Sequence, residues 1–347
     1  MRKLIALWTA IFLLFSLSAA AQEHPYPADT ILAVTDLTKE QQSLADFLYG
    51  PAFRGETPIA LPPSTRYDDV APALNALTQN YPELFHLGTE YRISYYTDQP
   101  EIATQVALTY RVSPAEAADL RAQMYIRAGL MIAENPDPLA LHDALCLTVT
   151  YGGDTGLRHT AAGALLDGVA TCEGYAQALT LLYRMAGIPC GIIVGDATAS
   201  DGQISRHAWN IADLDGHCLI DATWNDQDHL ALNTHWYYGL STAQMAADHT
   251  PDADQSVSLC DAQANWHDRH GYIVTAPEHA DAAICRLIAG ETVNLRIPDP
   301  TMYTAMTEDL PAWLDRYNQR NPDAPFYGGY SITTSEAQMC LILQRVE

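Results

Sequence analysis

The pattern of apolar and polar positions predicts regular structure from residue 38 onward. Thr38, followed three residues later by Gln41, forms a capping box that should open a helix reaching about Tyr49. Residues 70–80 predict a second helix. Residues 91–96 and 102–112 are rich in aromatic and β-branched side chains, which favours a pair of strands. The first part of the chain is therefore expected to mix helix and strand.

Two helices marked by proline follow. Ser113 and Glu116 form another capping box with Pro114 at the first helical position, and this helix should run to about Glu134. The prolines within residues 135–138 interrupt it. The next helix should begin inside that break and end near the two glycines at 152 and 153.

The pattern centres on residues 168–187, where a cysteine stands at the start of an apolar helix. This cysteine is Cys172, and Gly187 with Pro189 should end its helix. After it, residues 190–194 predict a short strand. Two longer runs then predict a hairpin around Asp215 and Gly216; they are residues 204–214 and 217–222.

The length of that hairpin loop decides whether two polar side chains can meet. With a two-residue loop, His207 and Asp221 would point to opposite faces, because strand side chains alternate with a period of two. A three-residue loop, with Gly216 in the left-handed conformation, pairs Asp213 with His217 and puts His207 and Asp221 on one face. A joint site therefore requires the three-residue loop.

The last third of the chain carries a weaker pattern. We find no internal repeat and no low-complexity tract in the sequence. The pattern predicts strands over residues 271–275, 291–297 and 338–346, and helices over residues 278–289 and 302–319.

Composition indicates a globular, exported protein. Apolar residues make up 48% of the 347 residues, which is enough for a sizeable core. Arg2 and Lys3 precede an apolar run that ends in small residues, which predicts a signal peptide over residues 1–21. A membrane anchor is the alternative, but the run is short for a spanning helix of about 20 residues. We expect a secreted or extracytoplasmic protein with no stable membrane insertion after signal removal.

The charge of the chain excludes one class of partner. The formal net charge is -24, and removal of Arg2 and Lys3 takes two of the 18 basic residues and none of the 42 acidic ones, so the mature charge is near -26. Such a surface repels nucleic acid and anionic membranes. We therefore expect no nucleic-acid partner, while the charge says little about the substrate.

Seven cysteines leave the disulfide pattern open. If Cys172 stays free as a nucleophile, six cysteines remain. This is an even number, so all six could form disulfides in an oxidising compartment. The alternative is that several are small buried hydrophobic residues. The sequence does not decide between these two interpretations.

Cys172, His207 and Asp221 together suit nucleophilic catalysis. A cysteine attacks as a thiolate, and both a helix amino terminus and a neighbouring imidazole favour that form. An aspartate can orient the imidazole and stabilise its protonated form. Glu173 acts against the thiolate unless its side chain points to solvent.

Other residues are candidates for the surroundings of this site. We expect Glu173, Trp209 and Trp224 in an oxyanion or substrate cleft, although packing is the commoner role for tryptophan. Possible metal ligands lack a four-ligand spacing, so we expect solvated surface there and predict no metal and no cofactor. These residues are Asp226, Asp228 and His229, and His267 with His270.

Five sequence blocks, in this order, resemble the transglutaminase-like superfamily of papain-like fold proteins, specifically its bacterial exported branch. The blocks are HTAAGAL (159–165), CEGYA (172–176), GIPC (187–190), HAWN (207–210) and DATWND (221–226). By this resemblance, Cys172 is the nucleophile, His207 the base and Asp221 its orienting partner. The resemblance also implies a fold in which the cysteine helix packs against an antiparallel sheet that carries the other two residues.

The resemblance implies an α+β fold class and a division of the chain. A core over residues 136–240 would lie between an N-terminal α/β extension (22–135) and a C-terminal one (241–347). The implied function is acyl transfer on peptide or amide bonds, by a protease, amidase or transamidase, with a protein, peptide or cell-wall peptide as substrate. The alternative is a non-catalytic protein- or cell-wall-binding module on the same fold, which a buried or disulfide-bonded Cys172 would favour.

Overall fold

The computed structural model describes residues 24–153, 155–227, 232–261 and 265–346. The predicted signal peptide, residues 1–21, lies outside this described part. Among the described residues, no helix combines the length and apolar character that crossing a membrane would need. Helix and strand alternate along the chain, and the strands form separate sheets that are antiparallel except for one short parallel pair, residues 150–151 with 169–170, so the fold class is α+β as predicted.

The regular elements are numbered in chain order. The helices are α1 Lys39–Arg54, α2 Tyr67–Asn80, α3 Pro114–Glu134, α4 Pro138–Thr148, α5 Cys172–Met185, α6 Ala222–Asn225, α7 Thr242–Met245, α8 Trp266–His270, α9 Pro277–Ile288, α10 Pro300–Glu308 and α11 Leu310–Arg320. The strands are β1 Ile59–Ala60, β2 Leu87–Tyr96, β3 Gln99–Tyr110, β4 Thr150–Tyr151, β5 Val169–Ala170, β6 Cys190–Thr198, β7 Ile204–Asp213, β8 His217–Ile220, β9 Asp226–Gln227, β10 Leu232–Asn233, β11 Tyr238–Leu240, β12 His249–Pro251, β13 Val293–Arg296, β14 Gly329–Ser335 and β15 Cys340–Val346.

Local capping explains where the first helices begin. The Thr38 side chain accepts a hydrogen bond from the Gln41 N–H, and the Gln41 side chain accepts one from the Thr38 N–H, which confirms the capping box. The Ser113 hydroxyl caps α3 by accepting from the Glu116 N–H, and α3 ends at Glu134 as predicted. Helix α1 continues five residues beyond its predicted end at Tyr49, because the turn that follows it is buried at Ala52 and packs into the core.

A five-stranded antiparallel sheet carries helix α5. Its strand order is β11-β8-β7-β6-β12. The fully buried Asn210 of β7 fastens the helix to the sheet, since its side-chain N–H groups donate to the Ala176 carbonyl at 3.0 Å and to the Thr180 hydroxyl at 2.9 Å. The start of α5 is thereby held over the middle strands of the sheet.

The hairpin between β7 and β8 has the three-residue loop that the sequence required. Asp213 pairs with His217, and Asn210 with Ile220. Asp215 and Gly216 have positive φ angles of 65° and 113°. The predicted register is therefore confirmed, and Asp221, which follows β8, can reach the face of the sheet that His207 occupies.

Two three-stranded sheets accompany the central one, with strand orders β1-β3-β2 and β13-β15-β14, and the described residues also form the two-stranded sheets β4-β5 and β10-β9. For the last third of the chain, two predictions are wrong and one strand of the C-terminal sheet was missed. Residues 271–275 supply one isolated bridge, from Ile273 to Arg296, and no strand. Strand β14 was not predicted. The single helix expected over residues 302–319 is divided at Asp309, whose carboxylate accepts from the Ala312 N–H and so caps a new helix.

Two of the clusters of buried side chains are each confined to one segment of the chain, while a third joins residues between Val34 and Ile342. One cluster lies within residues 44–108 and another within residues 274–343, whereas the cluster around α5 also contains the buried residues of α3. Strand β12 pairs with β6 in the central sheet. We propose that the catalytic unit predicted over residues 136–240 extends to include α3 and β12, with smaller flanking units on either side.

Candidate active site

Cys172 is the first residue of α5 and stands partly exposed with a free thiol. Thr171 before it has extended backbone angles, and its side chain lies near His159 (3.0 Å) instead of capping the helix. The first N–H groups of a helix have no intrahelical carbonyl to bind, and with the helix dipole they favour negative charge. The thiol therefore stands beside N–H groups that can donate to an oxyanion formed there.

Gly174 fixes the position of this helix start. A side chain there would begin 2.5 Å from the Arg158 carbonyl oxygen and 3.1 Å from that of Thr160. Both oxygens belong to backbone, so the clash cannot be relieved by a rotamer change. The glycine allows residues 158–160 to lie directly against the first turn of α5, next to the thiol.

His207 lies on β7 and turns its ring toward Asp221. Its Nε2–H donates to Asp221 Oδ2 at 2.8 Å. Asp221 is completely buried, and its other oxygen, Oδ1, accepts the N–H groups of Thr223 and Trp224 at 2.9 and 3.1 Å, so it also caps the short helix α6. The carboxylate is therefore held from both sides.

The same imidazole interacts with the thiol. Burial alone would lower the pKa of His207, but the charge and hydrogen bond of Asp221, together with a side-chain hydrogen bond to Cys172, raise the pKa to about 10. Because Nε2 is used by Asp221, Nδ1 is the nitrogen that remains for Cys172. Burial acts to raise the pKa of Asp221, yet the adjacent imidazoles hold it below its usual range. These directions favour a protonated imidazole beside an ionised carboxylate.

The thiol and the imidazole open onto one cavity of about 710 Å³. Its lining also includes Tyr151, His159, Thr171, Glu173 and Arg206. Glu173 keeps about 45% of its side-chain surface accessible and lies 3.7 Å from the His159 ring, although desolvation at the cleft raises its pKa. A group of substrate size can therefore reach Cys172 with its polar neighbours around it.

The two tryptophans proposed for the cleft lie elsewhere. Trp209 is only 1% exposed and packs its ring against His249, so it belongs to the core and does not line the cavity at Cys172. Trp224 is partly buried, with its ring centroid 5.3 Å from that of His207. It lines a second cavity, of about 640 Å³, with Trp236 and Tyr237. Of the three cleft candidates, Glu173 alone shares the cavity of the thiol.

Sequence reasoning missed His249 and Asp248, which adjoin the site. His249 Nε2 lies 3.2 Å from Asp221 Oδ2, and His249 Nδ1 lies 2.6 Å from Asp248 Oδ1. His249 stands 28 residues after Asp221, on strand β12 at the far edge of the sheet from β8. No local spacing predicts a contact of this kind, because it joins two residues that only the tertiary fold brings together.

In the part of the chain that the structure describes, two groups of histidine and aspartate bring possible metal-ligand atoms within 4.8 Å of each other. They are His207, Asp221 and His249, and His142, Asp143 and His235. In each group the carboxylate already accepts hydrogen bonds from both imidazoles, so hydrogen bonding alone accounts for these contacts.

The expectation of solvated surface at the other possible ligands is wrong for one residue. His267 is fully buried and hydrogen-bonded to Asn294 at 3.0 Å, and burial lowers its pKa to about 3. His270 is exposed, and Asp226 accepts from the Tyr175 hydroxyl. Asp228 and His229 lie outside the described residues.

All seven cysteines are free. Those at positions 146, 190, 218, 260 and 340 are buried, Cys285 is exposed and Cys172 is partly exposed. The buried five behave as small hydrophobic residues, which was one of the two interpretations that the sequence left open.

Comparison with known proteins supports the similarity seen in the sequence blocks. Residues 133–224 match the family model of the transglutaminase-like superfamily. No curated protein matches the chain.

Three solved structures resemble part of the chain at low identity. A TGase is 16% identical over 40% of this chain and 45% of its own, with a TM-score of 0.27. A proposed cysteine protease from Cytophaga hutchinsonii is 15% identical over 42% and 64%, with a TM-score of 0.25. The periplasmic domain of TgpA from Pseudomonas aeruginosa, bound to ethylmercury, is 17% identical over 41% and 68%, with a TM-score of 0.25. The chain thus spans less than two thirds of the first two structures.

Proposed function

Because residues 133–224 belong to the transglutaminase-like superfamily, we propose that this protein is an exported cysteine enzyme that transfers acyl groups from peptide or amide bonds. One observation carries the proposal. Cys172 and His207 share an open cavity, while the carboxylate of Asp221 is buried behind the imidazole at 2.8 Å. This is the nucleophile, base and orienting group that acyl transfer requires.

Each residue has a defined part in the proposed reaction. The Cys172 thiolate attacks the acyl carbon, and the Cys172 N–H at the helix terminus stabilises the oxyanion that forms. Protonated His207 gives its proton to the departing amine, which leaves a thioester on Cys172. Water or a second amine then attacks the thioester while His207 takes up a proton, and the thiolate is restored. Water gives hydrolysis, and an amine gives a new amide bond.

The alternative, a non-catalytic binding module on the same fold, finds no support in the state of the cysteine. Cys172 is neither buried nor disulfide-bonded, the two states that would favour that alternative. We propose a protein, peptide or cell-wall peptide as the substrate, met outside the cytoplasm after removal of residues 1–21. The leader sequence is the basis for this location.

Alkylation of Cys172 tests the proposal without knowledge of the substrate. In a Cys285→Ser background, Cys172 is the only one of the seven cysteines that is not buried. A free thiol is only a few per cent ionised near neutral pH, so His207→Ala should slow alkylation by iodoacetamide at pH 7 by about tenfold. Peptide mass spectrometry measures the rate. Equal rates in the two proteins would contradict an activated pair.

A second assay addresses turnover. The mature protein is incubated with peptide and protein substrates, with and without a primary amine, and the products are separated by mass. Amine incorporation identifies transamidation, and cleavage without incorporation identifies hydrolysis. Cys172→Ala should abolish both activities. If both Cys172→Ala and His207→Ala kept full activity, this site would be excluded.

A further inference from the structure

Asp221 accepts hydrogen bonds from two imidazoles on the same oxygen. Its Oδ2 lies 2.8 Å from His207 Nε2 and 3.2 Å from His249 Nε2. With Thr223 and Trp224 bound to Oδ1, four donors occupy a carboxylate that has no contact with solvent. The proposed reaction uses His207 and leaves the role of His249 unexplained.

The second imidazole lies between two carboxylates. Its Nδ1 is 2.6 Å from Asp248 Oδ1, and Asp248 Oδ2 accepts from the Tyr237 hydroxyl at 2.7 Å. An ionised carboxylate can only accept, so both nitrogens of His249 must carry hydrogen. The geometry therefore describes an imidazolium cation. Burial would lower the pKa of His249, but hydrogen bonds to Asp221 and Asp248 raise it.

The surroundings of His249 contain few other charges. The groups that face it are His207 and Trp209 from β7, Asp221 and Trp224 around α6, Tyr237 ahead of β11, and Asp248 on its own segment. The amide of Gln338, from the last hairpin of the chain, lies 3.5 Å from the Asp248 carboxylate. Asp248 also lines the cavity of about 640 Å³, on which the network ends.

We propose that His249 is a positioning residue for the acyl-transfer reaction: it holds the Asp221 carboxylate and, as a cation, limits how strongly that carboxylate retains the proton of His207. The inference rests on the proposed function, and it extends the set Cys172, His207 and Asp221 by His249 and Asp248. This role affects the proton transfer from His207 in the proposed reaction. His207 must release a proton to the leaving amine, and an Asp221 with one cationic neighbour instead of two would make His207 too weak an acid.

Two variants separate charge from shape. His249→Gln removes the cation, but its amide oxygen would face Asp248. The double variant His249→Gln with Asp248→Asn restores a consistent chain of neutral hydrogen bonds, in which residue 249 still donates to Asp221 and residue 248 still accepts from Tyr237. His235→Gln is the matched control, because it removes a similar histidine–aspartate hydrogen bond, of 2.8 Å to Asp143, in another cluster.

Titration of the histidine ring nitrogens by NMR gives the readout. In the wild-type protein near pH 7, both nitrogens of His249 should be protonated, and a neutral ring would overturn the inference without any variant. The pKa of His207 should rise by about one unit in His249→Gln, since a cation near its carboxylate has been removed, and by less in the double variant, which also removes the more distant Asp248 anion. His235→Gln should leave the pKa of His207 unchanged. An unchanged pKa of His207 in the double variant would also overturn the inference.

Activity then separates the two proposals. His249→Gln should lower kcat at pH 7 by about tenfold, and the double variant by less, with little change in KM in either, because binding is retained while proton release is impaired. A normal kcat in His249→Gln, together with loss of activity in His207→Ala, would reject the role of His249 alone. If alkylation of Cys172 does not depend on His207, the proposed function fails, while the NMR titration still reports whether His249 acts on His207.

Discussion

Among the described residues, two clusters place a carboxylate between two imidazoles, and they differ in where the neighbouring thiol lies. The candidate active-site cluster is His207, Asp221 and His249. The second cluster is His142, Asp143 and His235, in which Asp143 Oδ1 lies 2.9 Å from His142 Nδ1 and 2.8 Å from His235 Nε2. Each cluster also has a cysteine next to one imidazole: Cys172 beside His207, and Cys146, 3.7 Å from His142 Nε2.

The position of the thiol separates the two. Cys146 lies in the last turn of α4, where the helix dipole disfavours an anion, and it is buried with its thiol donating to the Ala222 carbonyl. Burial and then nearby carboxylates raise its pKa well above the ordinary value. Cys172 lies at the opposite end of a helix and opens onto a cavity. The same residue types thus form a candidate nucleophile only where the thiol meets a helix amino terminus and solvent.

The largest expected effect comes from neutralising the carboxylate of each cluster. Asp221→Asn should lower any turnover found with the assays above by roughly 10⁴-fold, the size seen when the aspartate of a serine triad becomes asparagine. Asp143→Asn should leave turnover within about twofold, but lower stability by about 2 kcal/mol through its two imidazole hydrogen bonds. Turnover and urea unfolding of both variants test this. Similar losses of turnover in both would remove the distinction between the clusters.

Thiol accessibility compares the two cysteines directly. In the native protein a disulfide reagent should modify Cys172 and Cys285, the two of seven that are not buried. In the native protein Cys146 should react more slowly than Cys172 by a factor of roughly 10³ or more, because the reagent reaches Cys146 only when the core opens. Mass spectrometry after brief exposure, with and without denaturant, identifies the modified residues. Rapid native labelling of Cys146 would contradict the burial on which the comparison rests.

The pH dependence of stability should have opposite signs for His207 and His142, one histidine from each cluster. The pKa of His207 is raised from 6.5 to about 10, so its stabilising contribution is complete below pH 6.5 and is lost as pH rises toward 10. Burial lowers the pKa of His142, although Asp143 opposes this, so that residue destabilises the fold as pH falls below 6.5. Each slope is at most about 1.4 kcal/mol per pH unit.

His207→Gln and His142→Gln isolate these contributions. The difference in unfolding free energy between wild type and His207→Gln should shrink from pH 7 to pH 10. The difference for His142→Gln should instead shrink as pH falls from 6.5 to 5. Urea titrations across pH give both curves, and parallel curves for the two variants would reject the opposite signs.

Prediction from sequence succeeded where the cause is local. The caps at Thr38 and Ser113 depend on hydrogen bonds within three residues, and the hairpin register depends on strand alternation and one turn. The helix start at Cys172 was predicted from residues next to it in the chain, and the structure begins α5 there. These relations need no knowledge of the rest of the fold.

Prediction failed where distant segments meet. His249 lies near Asp221 because β12 joins the sheet beside β6. Trp209 was expected in the cleft, but it faces the core because Gly195 and His249 receive its ring on the inner side. His267 was expected at the surface, and the C-terminal sheet covers it through Asn294 on β13. Each error concerns which side of an element is covered, and that is a tertiary property.

The smallest expected effect concerns the turn that sets the register of the candidate active-site cluster. Gly216 has a φ of 113°, so Gly216→Ala should cost about 1–2 kcal/mol of stability. Gly202, in an exposed turn with a φ of 81° and open space around it, offers the matched control Gly202→Ala. In both variants Cys172 should be alkylated at the wild-type rate, since strain in the turn leaves the pairing of the two strands in place. Eight residues form these pairs: Asp213–His217, Ala212–Cys218, Ile211–Leu219 and Asn210–Ile220. A slower rate in Gly216→Ala alone would show that the register of Asp221 depends on the turn itself more than on the strands.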